Sequence, residues 1–235
     1  MTSRWLWSPI ILAALLVVYR PLLREPTFFF EDHALVREAG SKEPVAELFR
    51  IEPSLYFHRP LGRLIWRAVH GAFADEPLAY QATSLLLHWV NCLLLIGLSR
   101  RLAPRRPALA VAAGLVFALY PLQVETVAWK SCWYDLISTL FYLWTVVLFL
   151  DLRGSGSPLL VPLSMVTMQC CLWSKELAFT LPVLLLGLHC LLEGPRHGRA
   201  TLALACHALL LVLDLGQRVA LWGRIGGYPH LTDYF

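Results

Sequence analysis

Long apolar runs separated by short polar breaks recur along the whole chain, and no other feature restricts its fold as strongly. A run of about 20 apolar residues, wound as a helix, matches the hydrocarbon thickness of a bilayer, whereas strands of a membrane barrel read as alternating segments of about 10. Composition agrees: 57% of the 235 residues are hydrophobic and 15% charged, with a mean hydropathy of +0.59, too apolar for an ordinary soluble domain. The expected fold is all-α, a polytopic transmembrane helical bundle of about seven spans forming one domain over residues 1–235.

The spans follow from the runs. Arg4 precedes Trp5 to Leu23, which lacks a small-residue cleavage site and reads as an uncleaved first span with its N-terminus inside. Residues 24–77 form a long first extracytoplasmic loop. In its second half Leu61, Leu64, Ile65, Ala68, Val69, Ala72 and Phe73 share one helical face, and Arg63, Arg67 and His70 the other, as in a helix lying at the membrane surface. Leu78–Leu98 is the second span, and its Gln81, Ser84, His88 and Asn91 recur every three or four residues, a polar stripe suited to interhelical hydrogen bonds. Further runs cover 108–119, 136–152, 158–173, 177–192 and 200–215, leaving Gln217 to Phe235 as an outer tail.

Charge sets the orientation. Seventeen arginines and three lysines face 16 acids, a net +4. Arg100, Arg101, Arg105 and Arg106 crowd one loop, with Arg196, His197 and Arg199 near another, and the excess of positive residues places these loops in the cytoplasm rather than on nucleic acid. The six cysteines have no metal-ligand spacing and lie mostly in apolar runs, which points to neither a metal site nor a disulfide framework. The preference for Arg over Lys favours a bacterial inner membrane over an endoplasmic reticulum.

This topology brings the remaining polar residues to the outer face: Glu31, Asp32, His33, Glu125, Lys130, Asp135, Lys175, Glu176 and Arg218. A carboxylate can take a proton from an attacking hydroxyl, and Lys or Arg can hold a departing phosphate, the two requirements of sugar transfer from a lipid phosphate. Blander roles stand beside these: Lys175 and Glu176 pairing with each other at a helix end, or Glu125 complementing a helix dipole after Pro121.

In order along the chain, Glu31-Asp32-His33, Arg59-Pro60-Leu61, His88-x-x-Asn91, Tyr120-Pro121 through Glu125-x-x-Ala128-Trp129 to Asp135-Leu136, Ser174-Lys175-Glu176 with Thr180-Leu181-Pro182, and Arg218 leading to Gly226-Gly227-Tyr228 resemble pieces of the GT-C superfamily of membrane glycosyltransferases. The likeness is to its protein O-mannosyltransferase-like branch, which includes the transmembrane and tetratricopeptide-repeat-containing proteins and their bacterial relatives. That family often has His before the proline at 121, and Ser-Gly-Arg-x-Asp where this chain has Ser131 to Asp135.

The resemblance implies a polyprenyl-phosphate-linked sugar as donor, no separate cofactor, and a protein Ser/Thr or glycolipid hydroxyl as acceptor, with the bilayer as the other partner. It implies Asp32 as catalytic base with Glu31 second, so that Asp32→Asn would abolish transfer and leave folding intact. Lys175 and Arg218 would contact the lipid phosphate and Glu125 the sugar or acceptor, with His33, Arg59 and Glu176 completing the substrate-binding set. Family members usually continue through more spans, so the chain reads as incomplete at its C-terminus. A non-enzymatic transporter, a lipid-binding scaffold or an inactive fragment is the alternative.

Overall fold

The computed structural model describes residues 7–51, 57–155, 157–192, 198–223 and 225–226. Arg4, Trp5, Arg196, His197, Gly227 and Tyr228, used above for topology or motif, lie outside them. Among the described residues helix is the only regular secondary structure. Its α-helices are α1 (Trp7–Val18), α2 (Arg20–Arg24), α3 (Asp32–Ala39), α4 (Pro60–Phe73), α5 (Pro77–Leu102), α6 (Pro107–Leu119), α7 (Gln123–Ala128), α8 (Trp133–Ser155), α9 (Leu160–Leu172), α10 (Leu181–Leu191) and α11 (Gly198–Trp222). Short 3-10 turns cover Val45–Phe49, Lys130–Cys132 and Glu176–Thr180.

Where it is described, each expected apolar run is mainly helical, but the helices differ in length. Among the described residues three helical stretches are long and apolar enough to cross a membrane: Pro77–Leu102, Lys130–Ser155 and Gly198–Trp222. This arrangement is compatible with a membrane protein. Four others are shorter, Trp7–Val18, Pro107–Leu119, Leu160–Leu172 and Glu176–Leu191. Local chemistry explains the interruptions. Pro21 starts a new helix after the bend at Tyr19, Tyr120 is extended before Pro121, and Trp173 ends α9 with its N–H bonded back to Gln169.

Burial is inverted relative to a water-soluble bundle. Val17, Leu122, Leu159, Val183 and Leu191 are largely exposed, while Gln81, Ser84, His88, Asn91, Ser138 and Thr145 are fully buried. The polar stripe of α5 performs the role its spacing implies. Gln81 donates to the Val127 carbonyl at 3.0 Å, Asn91 to that of Leu136 at 2.9 Å, and the His88 ring bonds the Ala118 carbonyl at 3.3 Å. Ser84 accepts from the Trp133 indole at 2.7 Å. One helix face thereby ties α5 to α6, α7 and α8 through directional hydrogen bonds as well as apolar contact.

Three apolar clusters fill the interior. One joins α8 to α9, α10 and α11 around Phe149, Leu152 and Met168; a second joins α1 to α5 and α6 around Ile11, Leu15 and Cys92. The third seats α3 and α4 on α5 and α8 through aromatic rings: Trp66 lies 4.7 Å from Trp133 and 5.3 Å from Tyr80, and Tyr80 stacks on Trp133 at 5.6 Å.

Helix α4 departs from its sequence expectation. Its buried stripe is Pro60, Gly62 and Trp66, with Leu61, Ile65 and Val69 half-buried, while Ala68, Ala72 and Phe73 are exposed. The basic side is engaged rather than solvated: Arg63 pairs with Glu38 at 2.5 Å, Arg67 donates to the Ser41 and Glu43 carbonyls, and His70 meets Asp75 at 3.1 Å. Gly62 is obligatory in a physical sense, because a Cβ there would overlap the Tyr134 ring.

Candidate functional site

The first acidic motif sits on a tightly held turn. Phe30 adopts φ 41°, a left-handed conformation unfavourable for a residue with a side chain, and turns the chain into α3. Asp32 occupies the first turn of α3, where a carboxylate suits the helix dipole. Its Oδ2 accepts from the Phe29 N–H at 3.0 Å and the Lys130 N–H at 3.4 Å, and its Oδ1 from the Ser131 N–H and hydroxyl, both at 2.7 Å. Four donors occupy the four acceptor positions of a carboxylate. The side chain is fully buried, so Asp32 has neither a free lone pair nor access for an acceptor hydroxyl in this arrangement. The expectation that Asp32→Asn would spare folding therefore meets a residue that fastens α3 to the start of α8.

Glu31, its neighbour, is exposed and caps α3 only through its backbone, its side chain making no capping bond. His33 is also exposed, edge-on to Phe28 at 5.9 Å. Lys130 is buried beside them, its ammonium donating to the carbonyls of Thr27 at 2.7 Å and Ala128 at 2.9 Å and lying 5.5 Å from the Phe29 ring.

Segment 130–135 is where α3, α4, α8 and the 174–176 segment come together. Ser131 receives Asp32. Tyr134 lies against Gly62 and 5.5 Å from the Arg59 guanidinium, and Asp135 pairs with Lys175 at 2.5 Å. Arg59 also stacks on Phe57 at 4.1 Å and reaches Glu176 through Nη2 at 2.5 Å and Nε at 3.1 Å. Lys175 and Glu176 do not pair with each other; each takes a partner from a distant element.

Arg218 overturns one boundary. It lies within α11 rather than on an outer tail, and it is fully buried. Its Nε donates to Asp214 at 2.7 Å, its Nη1 lies 3.7 Å from Glu176, and its Nη2 donates to the Leu172 carbonyl at 3.1 Å and the His58 carbonyl at 3.5 Å. Arg59, Glu176, Arg218 and Asp214 thus form a continuous alternation of two cations and two anions. His58 is buried against this cluster, and burial together with the Arg218 and Arg63 charges pushes its imidazole down to about 4. Glu125, in the first turn of α7, is exposed, the position in which it complements the helix dipole.

Sequence reasoning missed Ser131, Tyr134 and Asp214 as partners. A signal for Asp214 was present: an acid four residues before an arginine inside an apolar helix is costly unless the two pair. Ser131 offered no such signal, because its role exists only through Asp32, 99 positions earlier.

No protein-family model, curated protein or solved structure matches the chain.

Proposed function

We propose that the chain is a multi-pass membrane glycosyltransferase with its active face outside the cytoplasm. It moves a mannose-like hexose from a polyprenyl-phosphate donor to a hydroxyl of a protein Ser/Thr or a glycolipid, inverting the anomeric carbon. In this reading the seven apolar segments cross the bilayer, the shorter ones completed by their bends (α1 with α2, α6 with α7), and α3 and α4 lie on the outer surface.

Segment 130–135 carries the reading, because it gathers the anchors of Glu31, Arg59 and Lys175 at one end of the bundle. Glu31 takes the role of base, because it is the accessible carboxylate of the pair, and Asp32 holds the turn that presents it. Attack by the acceptor hydroxyl forms the new glycosidic bond and breaks the bond from the anomeric carbon to the phosphate oxygen; the proton passes to Glu31, and polyprenyl phosphate leaves as the anion. Such a leaving group needs no general acid. Lys175, half-buried at the edge of its ion pair, is the cation best placed to meet the phosphate.

The measurement is release of polyprenyl phosphate from polyprenyl-phosphate mannose by purified protein in the presence of an acceptor. Glu31→Gln is expected to abolish release without changing thermal stability. Unchanged turnover in that variant would sink the assignment of the base.

One observation favours a second, non-enzymatic reading: Arg59, Lys175 and Arg218 all already hold carboxylates. A lipid-binding scaffold or transporter would bind polyprenyl-phosphate sugar and release it unchanged.

A further inference from the structure

The opposite end of the bundle carries a different kind of charge. Helix α5 ends in Arg100 and Arg101, and the following turn adds Arg105 and Arg106. Arg101 is neutralised: it grips Asp151 of α8 through Nε and Nη2, both at 2.7 Å, and donates to the Gly97 carbonyl at 3.0 Å. Arg100, Arg105 and Arg106 have no side-chain hydrogen bond or ion pair among the described residues. Beside them a cleft of about 330 Å³ is lined by Trp7 and Ser8 of α1 and by Leu93, Ile96, Gly97, Arg100 and Arg101 of α5. That volume falls within the range of about 300–1,000 Å³ usual for small-molecule sites. A second cleft shares Gly97, Arg100 and Arg101 and opens toward Asp151. The space is therefore apolar between α1 and α5 and cationic at its mouth.

We propose that this cleft holds an anionic glycerophospholipid, with one acyl chain against Trp7, Leu93 and Ile96 and the headgroup phosphate on Arg100, supported by the charges of Arg105 and Arg106. Charge complementarity selects the occupant. An uncharged lipid would leave three arginines without a counterion, and a free phosphate would leave the apolar wall empty. Asp151 does not repel the headgroup, because Arg101 already neutralises it. Gly97 keeps the floor of the cleft open, with nothing but the end of the Arg101 side chain near the place of a Cβ. The inference rests on the proposed membrane placement and is independent of sugar transfer.

The test uses the full chain purified from membranes and reconstituted in nanodiscs containing phosphatidylglycerol and phosphatidylcholine, with retained lipid counted by native mass spectrometry after release into detergent. Wild type is expected to retain phosphatidylglycerol selectively. Arg100→Gln should weaken retention about fivefold, the effect of one basic residue near an anionic surface. Gly97→Leu, which fills the cleft but keeps every charge, should abolish retention while leaving the melting temperature in detergent unchanged. Equal retention of both lipids, displacement of the lipid by inorganic phosphate, or retention unaffected by Gly97→Leu would overturn the proposal. Should either variant fail to fold, the wild-type selectivity and the phosphate competition decide it. Recovery of the chain from the soluble fraction would instead refute the membrane placement itself, and that outcome is distinct from a membrane-bound protein that shows no lipid preference.

Discussion

The two ends of the bundle use charge in opposite ways. Around segment 130–135 the charges are paired, Arg59 with Glu176 and Lys175 with Asp135 across long sequence distances, and buried Arg218 with Glu176 and with Asp214 one helical turn away. At the Arg100–Arg106 end Arg101 is paired, Arg105 and Arg106 are exposed, and half-buried Arg100 lines a cleft with no ion-pair partner. A paired buried charge is costly to expose and costly to orphan, so it fixes how helices sit on one another. A solvated arginine fixes little within the fold and remains available to whatever approaches from outside. Local sequence does not separate the two, because both ends read as clusters of charged residues beside apolar runs.

This contrast is open to direct measurement. The largest effect is expected for Arg218→Ala, which strands Asp214 and Glu176 beside a vacated site. A loss of about 3–5 kcal/mol, or no folded protein at all, should appear in denaturant titration in detergent. Arg100→Ala, its counterpart at the other end, should stay within about 0.5 kcal/mol in the same titration. Comparable losses in the two variants would dissolve the distinction between the ends.

A second prediction uses His58. Its folded imidazole is pushed down to about 4 from an ordinary value of 6.5, so between those values the unfolded chain binds more protons than the folded one. Stability is then complete above pH 6.5 and falls as pH drops toward 4, by on the order of 3 kcal/mol for the full window. His58→Gln should flatten that part of the stability profile, and an unchanged slope would show that the histidine is not buried as described.

Asp32→Asn comes next. An amide in place of one carboxylate oxygen turns an NH2 donor toward N–H and O–H groups that need an acceptor, a loss of about 1.5–3 kcal/mol for a charge-assisted hydrogen bond. Its melting temperature should fall, whereas that of Glu31→Gln should not; the two adjacent acids then separate into one that holds and one that acts. Among the buried polar groups the smallest effect belongs to the α5 stripe. Asn91→Leu removes one interhelical bond, and about 0.6 kcal/mol is typical for such a loss within a bilayer.

Legibility in the sequence follows the range of the interactions. Helical class and the inward polar face of α5 depend on periods of three to four residues, and both could be read directly. The start of α3 was locally marked as well, with Asp32 in its first turn and Gly40 at its end, yet the motif drew attention to chemistry instead. Helix α4 was harder: its apolar arc is broad, and the stripe that packs is decided by Trp66 finding Tyr80 and Trp133. Of the charge pairings only Arg218 with Asp214, four residues apart on one helix, carried a local signal. Glu176 meets Arg59 across 117 positions, and no local rule selects that partner over Lys175 next door.

The fastening of Asp32 to Ser131 also bears on the order of events at the ribosome. Its two partners are 99 positions apart, and synthesis at about 5–20 residues per second separates their appearance by roughly 5–20 seconds. For that interval only the Phe29 N–H can hold the Asp32 carboxylate, and the loop lacks the bonds that tie it to Ser131. A protease or chaperone acting on nascent chains would meet α3 before its clasp exists, so this loop is where a slowed or stalled translation should leave its clearest mark.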